Sequence, residues 1–366
     1  MNKPSFLEVK NKKISLPAFF PDATFGFVRG VSSDDLAKCK IDGVVVNIYH
    51  LLHAGFIGKI KKKKGISNYM QFHGIIISDS GGFQVMSLIH DNPYNGRIYD
   101  DGVTFLYNNK KINLTPEKCI QLQLSIKSGI VMCLDDCTYP DTSLREQEVS
   151  VRRTVEWAKR CKKEFLKLTK NMKANEKPLL FGIIQGGNNL ELRKKCADEL
   201  KKIGFDGYAF GGWPVSQERN FLHDLLKYVA ELMPEDKPRY AMGVGRPEDI
   251  VACVGFGYNM FDCVIPTREA RNNRLYGFKN NIFGFGLKKL QNNKRFYEYI
   301  RVRNLKYKTD KKPISKNCDC FVCSNSNFTR ADIYKMFKER NKEAIRLATI
   351  HNLRFYTMLM ERLRNQ

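Results

Sequence analysis

"GIIISDSGG", residues 74–82, begins as an apolar, β-branched run and ends on a carboxylate, a hydroxyl and two glycines. A short run of that kind bounded by glycines reads as a buried strand. Asp79 therefore stands where the backbone stops being a strand and turns. Six further stretches repeat the design: "GVVVNIYH" (43–50), "GIVMCLDDC" (129–137), "LLFGIIQGG" (179–187), "GYAFGG" (207–212), "RYAMGVG" (239–245) and "NMFDCVIPT" (259–267).

Helix-like segments separate these runs. "TPEKCIQLQLSIKSG" (115–129) has Thr115 as N-cap, Pro116 at the first helical position and Gly129 as a stop. Others cover Ser143 to Leu168, Asn189 to Ile203, Gln217 to Leu232 and Pro247 to Val254. Strands alternating with helices at this spacing imply βα units and a parallel sheet. Seven such strands predict an eight-stranded parallel (β/α) TIM-type barrel over a doubly wound sheet, because no strand-linked G-x-G-x-x-G and no G-x-x-x-x-G-K-[ST] is present. The eighth strand is not identified, and "ISLPAFFP" (14–21) reads as a separate N-terminal strand.

Polar residues and glycines collect where the strands end: Asp79, Asp135 with Asp136, Gln185, Gly211 with Gly212, and Asp262. The C-terminal strand ends of a parallel barrel share one rim, where active sites are built. Any one of these residues suits an ordinary turn, but five strands converging on one rim predict a site.

The 366 residues carry 62 Lys and Arg against 38 Asp and Glu, a formal net charge of +24 that suits a polyanion such as nucleic acid. A Lys-rich composition spread over solvated faces accounts for stretches such as "KIKKKKG" (59–65) equally well. The opening "MNKPSFLEVKNKK" has no apolar signal core, and no stretch reaches 18 apolar residues, so a soluble, cytoplasmic protein with no membrane partner is expected. Eleven cysteines then imply thiols or metal ligands over disulfides.

"NCDCFVC" supplies Cys318, Cys320 and Cys323, and the next histidine is His351, near the end of the helical run "RADIYKMFKERNKEAIRLATIH". Three thiolates and one imidazole make the closed tetrahedral set of a structural zinc ion, one per chain, with no position left for water. His50 and His53 form an H-x-x-H at a strand end, read as packing or a phosphate contact.

"SDSGGFQVMSL", "FGIIQGG", "IGFDGYAFGG", "YAMGVGRPEDI", "MFDCVIPTR" and "CDCFVC…H" together resemble, in order from about residue 41 to 360, the tRNA-guanine transglycosylases, as a divergent member of bacterial type. The resemblance implies a barrel, residues 1–290, followed by a zinc-binding subdomain with closing helices, residues 291–366. It implies replacement of the guanine at the wobble position of certain tRNA anticodons by a free 7-deazaguanine base, within queuosine modification. Asp262 matches the nucleophile, and Asp79 the second carboxyl that manages a proton. Asp135 matches the residue that recognises the base, helped by Ser80, Gln185 and the backbone N–H of Gly212. Phe83 and Met242 match residues that sandwich the base, and Arg268 and Arg271 match contacts to neighbouring anticodon nucleotides. A homodimer is also implied.

The chain departs from the family pattern at several points. Asn273 replaces a usual glycine, and 274–312 shows little match. "HAGFIGK" stands where the family has an "RPG" stretch, and "GGWPVSQE" (211–218) replaces the usual "GGL…GE" loop. A bulky residue at Val215 resembles enzymes that take 7-aminomethyl-7-deazaguanine, whereas glycine there resembles those that take queuine. Two other functions stay open at this point: a catalytically silent tRNA-binding subunit, and a relative acting on DNA or on another RNA position.

Overall fold

The computed structural model describes residues 4–107, 110–140, 142–279, 286–292, 296–324 and 328–364. Of the poorly matching stretch 274–312, residues 280–285 and 293–295 lie outside them. Eight parallel strands form the central barrel: β1 (Ala18–Pro21), β2 (Gly43–Asn47), β3 (Ile75–Asp79), β4 (Ile130–Met132), β5 (Leu179–Ile184), β6 (Gly207–Phe210), β7 (Arg239–Ala241) and β8 (Met260–Cys263). Each pairs with the next in chain order, and β8 returns to β1 with Met260 opposite Ala18 and Asp262 opposite Phe20. A parallel bridge between Asp22 and Val45, with the Ala23 amide donating to the Val45 carbonyl at 2.7 Å, closes β1 onto β2.

All seven expected strands are present, and the missing eighth lies inside "ISLPAFFP". That stretch is a barrel stave, not a separate strand. The separate element is the antiparallel hairpin Phe6–Val9 and Lys12–Ser15 that precedes it.

Alternation along the strands explains both the core and the site. Successive side chains of a strand point to opposite faces. Ala18, Phe20, Val45, Ile75, Ile77, Ile130, Met132, Phe181, Ile183, Ala209, Tyr240 and Met260 pack together inside the barrel, and Leu7, Val9, Ile14 and Leu16 of the hairpin join them. The hairpin thus stoppers the N-terminal mouth with apolar side chains. Val44, Val46, Ile76, Val131, Tyr208, Phe210 and Phe261 face outward into the second core beneath the helices. One step beyond the last inward apolar residue, the same parity brings Asn47, Asp79, Gln185, Met242 and Asp262 to the C-terminal mouth.

Helix starts follow their capping chemistry. The Thr115 hydroxyl accepts from the Lys118 amide, Ser143 and Glu146 form a capping box, and Asn189 caps Leu190–Ile203. Several ends and one start differ from the sequence reading. The helix Pro116–Ser125 stops at a left-handed Lys127 (φ 62°), ahead of Gly129. The helix expected from Gln217 begins at His223, because Val215 and Phe221 bridge across a turn that holds Arg219 at φ 65°. The run from Arg330 divides into Arg330–Lys338 and Lys342–Arg364, with Arg340 left-handed between them.

The C-terminal helix Lys342–Arg364 is largely buried and ties distant parts of the barrel together. The Tyr356 hydroxyl donates to the Gly245 carbonyl at 2.6 Å, Thr357 donates to the Cys39 carbonyl at 2.8 Å, and Arg364 Nε donates to the Pro17 carbonyl at 2.9 Å. Leu353 and Leu359 of this helix are fully buried, so truncating either to Ala costs roughly 2–5 kcal/mol. Antiparallel strands Gly96–Tyr99, Gly102–Tyr107 and Lys110–Leu114 interrupt the barrel after β3, and Arg274–Phe278 pairs with Tyr297–Arg301 after β8.

Candidate active site and metal centre

Two carboxylates stand at the ends of β3 and β8 at the same mouth, each oriented by a group that the sequence reading missed. Asn47, closing β2 opposite Asp79 in the ladder, donates from Nδ2 to Asp79 Oδ2 at 2.6 Å and to Gln84 Oε1 at 2.8 Å. The Gly243 amide, in the turn after β7, donates to Asp262 Oδ1 at 2.9 Å. Asn47 carries the same signal that marks Asp79, a polar residue ending an apolar run.

Burial raises the Asp79 carboxyl to about 7, helped by the charges of Asp135 and Asp262 and opposed by the Gly81 amide and Asn47. Burial also raises Asp262, to about 6, against the pull of the Gly243 amide and the neighbouring Tyr240 hydroxyl. That hydroxyl is buried beside Asp262 without a well-formed hydrogen bond of its own. The charge of Asp262 bears on Asp79, and burial moves both carboxyls up toward neutral pH, the range in which acid and base groups work.

Asp135 lies three residues past β4, so strand parity does not place it. Gln185 Nε2 donates to its Oδ2 at 2.6 Å, and Ser80 Oγ donates to its Oδ1 at 3.4 Å. Burial pushes this carboxyl up to about 6. Of the glycines after Asp79, Gly82 makes room for Asp135, since a Cβ on it would lie 2.6 Å from the Asp135 carbonyl oxygen and 2.7 Å from Oδ1, while Gly81 is left-handed at φ 86° and a Cβ there would lie 2.5 Å from Tyr49 Cβ. Asp136, grouped with Asp135 in the sequence, turns away to pair with Arg153 Nη1 at 2.5 Å.

Gly212 follows β6 at φ 100°, next to Gln185. Phe83 opens the helix Gly82–Asp91 and packs on Trp213, with ring centroids 4.9 Å apart; Trp213 stacks in turn on Tyr139 at 5.6 Å. Met242 is half-buried against the inner core, one residue before Gly243. The structure thus gathers Asp79, Ser80, Phe83, Asp135, Gln185, Gly212, Met242 and Asp262 at one mouth. Trp213 and Tyr139 extend the wall; the sequence reading met the first only within the departing loop "GGWPVSQE" and did not single out the second.

Arg268 and Arg271 lie on the short helix Ile265–Arg271, directly after β8. Arg268 is half exposed, while Arg271 has a buried Nη1 with no hydrogen-bond partner. Burial lowers the Arg271 pKa, and the adjacent charges of Arg29 and Arg268 lower it further. A group of guanidinium ions beside the rim is a ready anion site. The next turn contains Asn273 at φ 58°, a left-handed position that explains why a glycine can be replaced by Asn here. His50 packs against Phe25 and Tyr49, and His53 against Tyr49.

The metal-ligand set is also assembled. The ligand atoms of Cys318, Cys320, Cys323 and His351 lie within 4.8 Å of one another. His351 Nδ1 is 3.7, 3.6 and 3.3 Å from the three sulfurs in that order. Tetrahedral coordination with Zn–S and Zn–N bonds of about 2.3 and 2.1 Å sets such separations near about 3.6 Å. His351 Nε2 meets the Tyr276 carbonyl at 2.6 Å, which places its proton there and leaves the Nδ1 lone pair facing the thiols. The donor chemistry and spacing fit a bound metal ion. Among the described residues no helix is long and apolar enough to cross a membrane.

Comparison with known proteins agrees with this arrangement. The family model described as queuine tRNA-ribosyltransferase matches residues 3–366. A queuine tRNA-ribosyltransferase of Actinobacillus pleuropneumoniae serotype 3 is 41% identical over 96% of this chain and 85% of its own length. Those of Psychrobacter sp. (strain PRwf-1) and Acinetobacter baylyi are each 39% identical, over 98% and 96% of this chain and 87% and 84% of their own lengths. The chain belongs to the queuine tRNA-ribosyltransferase family and is an enzyme of the tRNA-guanine transglycosylase type.

Proposed function

We propose that this protein exchanges the wobble guanine of certain tRNA anticodons for 7-aminomethyl-7-deazaguanine, through a ribosyl ester of Asp262. The observation that carries the reading is the meeting of Asp262 and Asp79 at one barrel mouth with carboxyls raised to about 6 and about 7. Near neutral pH Asp262 is then largely ionised while Asp79 keeps much of its proton.

The chemistry follows from those states. Asp262 attacks C1′ as the C1′–N9 bond breaks, the bonding pair leaves with the base, and Asp79 delivers its proton to the departing nitrogen. The incoming base returns a proton to Asp79 and displaces the ester. Two inversions at C1′ keep the original configuration, as in retaining glycoside hydrolysis.

Asp135 accepts from N1–H and the exocyclic amine of guanine, a fork that adenine cannot complete. Gln185 and the Gly212 amide take the O6 edge, with Phe83 and Met242 on the two faces. Reaching this mouth requires the nucleotide to leave its stack, which costs little in a single-stranded anticodon loop. Arg268 and Arg271 hold the flanking phosphates or bases. Zinc is the ion we assign to Cys318, Cys320, Cys323 and His351, where with four protein ligands it supplies a cross-link and no reactive water. Val215, a bulky residue in the loop after Gly212, supports the aminomethyl base over queuine.

The test is incorporation of radiolabelled guanine into unmodified tRNA with a guanine wobble base. Label entering that tRNA, and chased more efficiently by 7-aminomethyl-7-deazaguanine than by queuine, supports the reading. Label entering only DNA, or no label at all, overturns it; a more efficient chase by queuine reassigns the incoming base.

A further inference from the structure

Arg193 lies on the helix Leu190–Ile203 and is 1% exposed, yet among the described residues no carboxylate is paired with it. Its guanidinium donates instead to three backbone carbonyls, Ile184 at 2.5 Å, Gly187 at 2.9 Å and Gly211 at 2.8 Å, and covers the Phe210 ring at 4.5 Å. The carbonyls belong to the residues that flank Gln185 and Gly212, two of the groups facing the base. A Cβ built on Gly212 would lie 3.4 Å from Arg193 Nη2 and 3.5 Å from Gln185 Oε1. One buried cation thus backs the part of the pocket wall formed by Gln185 and Gly212.

Neutral donors would satisfy three carbonyls without the cost of burying a charge. That cost calls for an anion. Under the base-exchange reading negative charge does develop on the base: as the C1′–N9 bond breaks, the electron pair moves to the base ahead of the proton that Asp79 delivers to the departing nitrogen, and the negative charge leaves Asp262 as its oxygen becomes an ester. The charge spreads through the ring to O6 while carboxylate Asp135 holds the other edge, so the base anion faces a like charge.

The geometry points to Arg193 as a positioning residue and buried counter-charge for the departing base, acting through Gln185 and the Gly212 amide. This rests on the exchange reaction proposed above. It assigns to a helix residue a share in transition-state stabilisation, the kind of electrostatic support that a fixed charge gives in a site closed to water.

Steady-state guanine exchange into tRNA by the full-length wild type, Arg193→Met and Arg193→Lys tests it. Arg193→Met should lose about 30- to 100-fold in kcat, with the KM for tRNA within about threefold of wild type. Arg193→Lys, which keeps the charge but loses the fork, should unfold at a lower temperature yet recover at least about tenfold of that kcat. A Lys variant as slow as the Met variant, or a Met variant whose loss falls on KM alone, overturns the proposal. If Arg193→Met does not fold, Arg193→Lys still decides: a kcat within about tenfold of wild type supports the role, and a loss beyond about 100-fold overturns it. Wild type that exchanges no guanine sinks the base-exchange reading itself; wild type that exchanges it, beside a Met variant at full rate, sinks only the role of Arg193.

Discussion

The barrel mouth and the cysteine cluster are both polar assemblies in an apolar protein, yet they satisfy their groups in opposite ways. In the cluster every ligand atom faces the other three, and the remaining histidine nitrogen is taken by the Tyr276 carbonyl. At the mouth three carboxylates are crowded and partly desolvated, and each has only a few donors on the protein side. A closed set stabilises, whereas an open set is held ready for a partner that supplies the missing groups. The difference teaches how to separate structural from reactive polarity: by counting which hydrogen-bonding positions the fold leaves unfilled.

The strongest way to break the contrast is at its reactive side. Asp262→Ala should lower guanine exchange by more than about 10³-fold, measured by label incorporation, while shifting the unfolding temperature little. Exchange persisting near the wild-type rate would show that another group captures the sugar.

At the closed side, Cys320→Ser should do the reverse. Native mass spectrometry should show loss of the bound metal, and thermal unfolding should fall by roughly 5 °C or more, with exchange declining only as folded protein is lost. Metal-free protein of unchanged stability would remove the cross-linking role.

Arg271→Ala should raise the KM for tRNA about tenfold, with kcat nearly unchanged, and should flatten the dependence of KM on salt. A fall in kcat with KM unmoved would place Arg271 in the chemistry instead.

The smallest effect sharpens the contrast through pH. A carboxyl raised from its ordinary 3.8 to about 7, as Asp79 is, binds its proton more tightly in the folded state. Its contribution to stability therefore falls as pH rises between those values and stays at its low level above about 7. Asp79→Asn should unfold about 2–5 °C higher than wild type at pH 8 and show no such gain at pH 4, by scanning calorimetry. Wild-type kcat/KM should rise as Asp262 ionises near 6 and fall as Asp79 loses its proton near 7.

Much of this was legible in the amino-acid order because a barrel writes its rim plainly. Strand parity carries inward apolar residues to an inward polar one, and Asp79, Gln185 and Asp262 announce themselves as the first inward-facing polar residues after buried runs. β1 did not, since four residues enclosed by Pro17 and ending on Pro21 offer too little pattern to be recognised as a stave. Asn47 ended its run just as clearly, but it is neutral and was passed over for its charged neighbours. Arg193 was hidden for another reason: a basic residue in an amphipathic helix reads as a solvated face, and only the fold shows it turned inward. Residues 217–222 were misread as the start of a helix because their turn is set by a bridge, Val215 to Phe221, that no helix propensity encodes.

The pairing of β8 with β1 joins two segments that lie more than two hundred residues apart in the chain, Met260–Cys263 and Ala18–Pro21. Until Cys263 has left the ribosome the sheet keeps a raw edge, and β1 is held only on its β2 side. The stave that seals this seam also carries Asp262, so a half-made or unzipped chain cannot bring Asp262 to the mouth that holds Asp79 and Asp135.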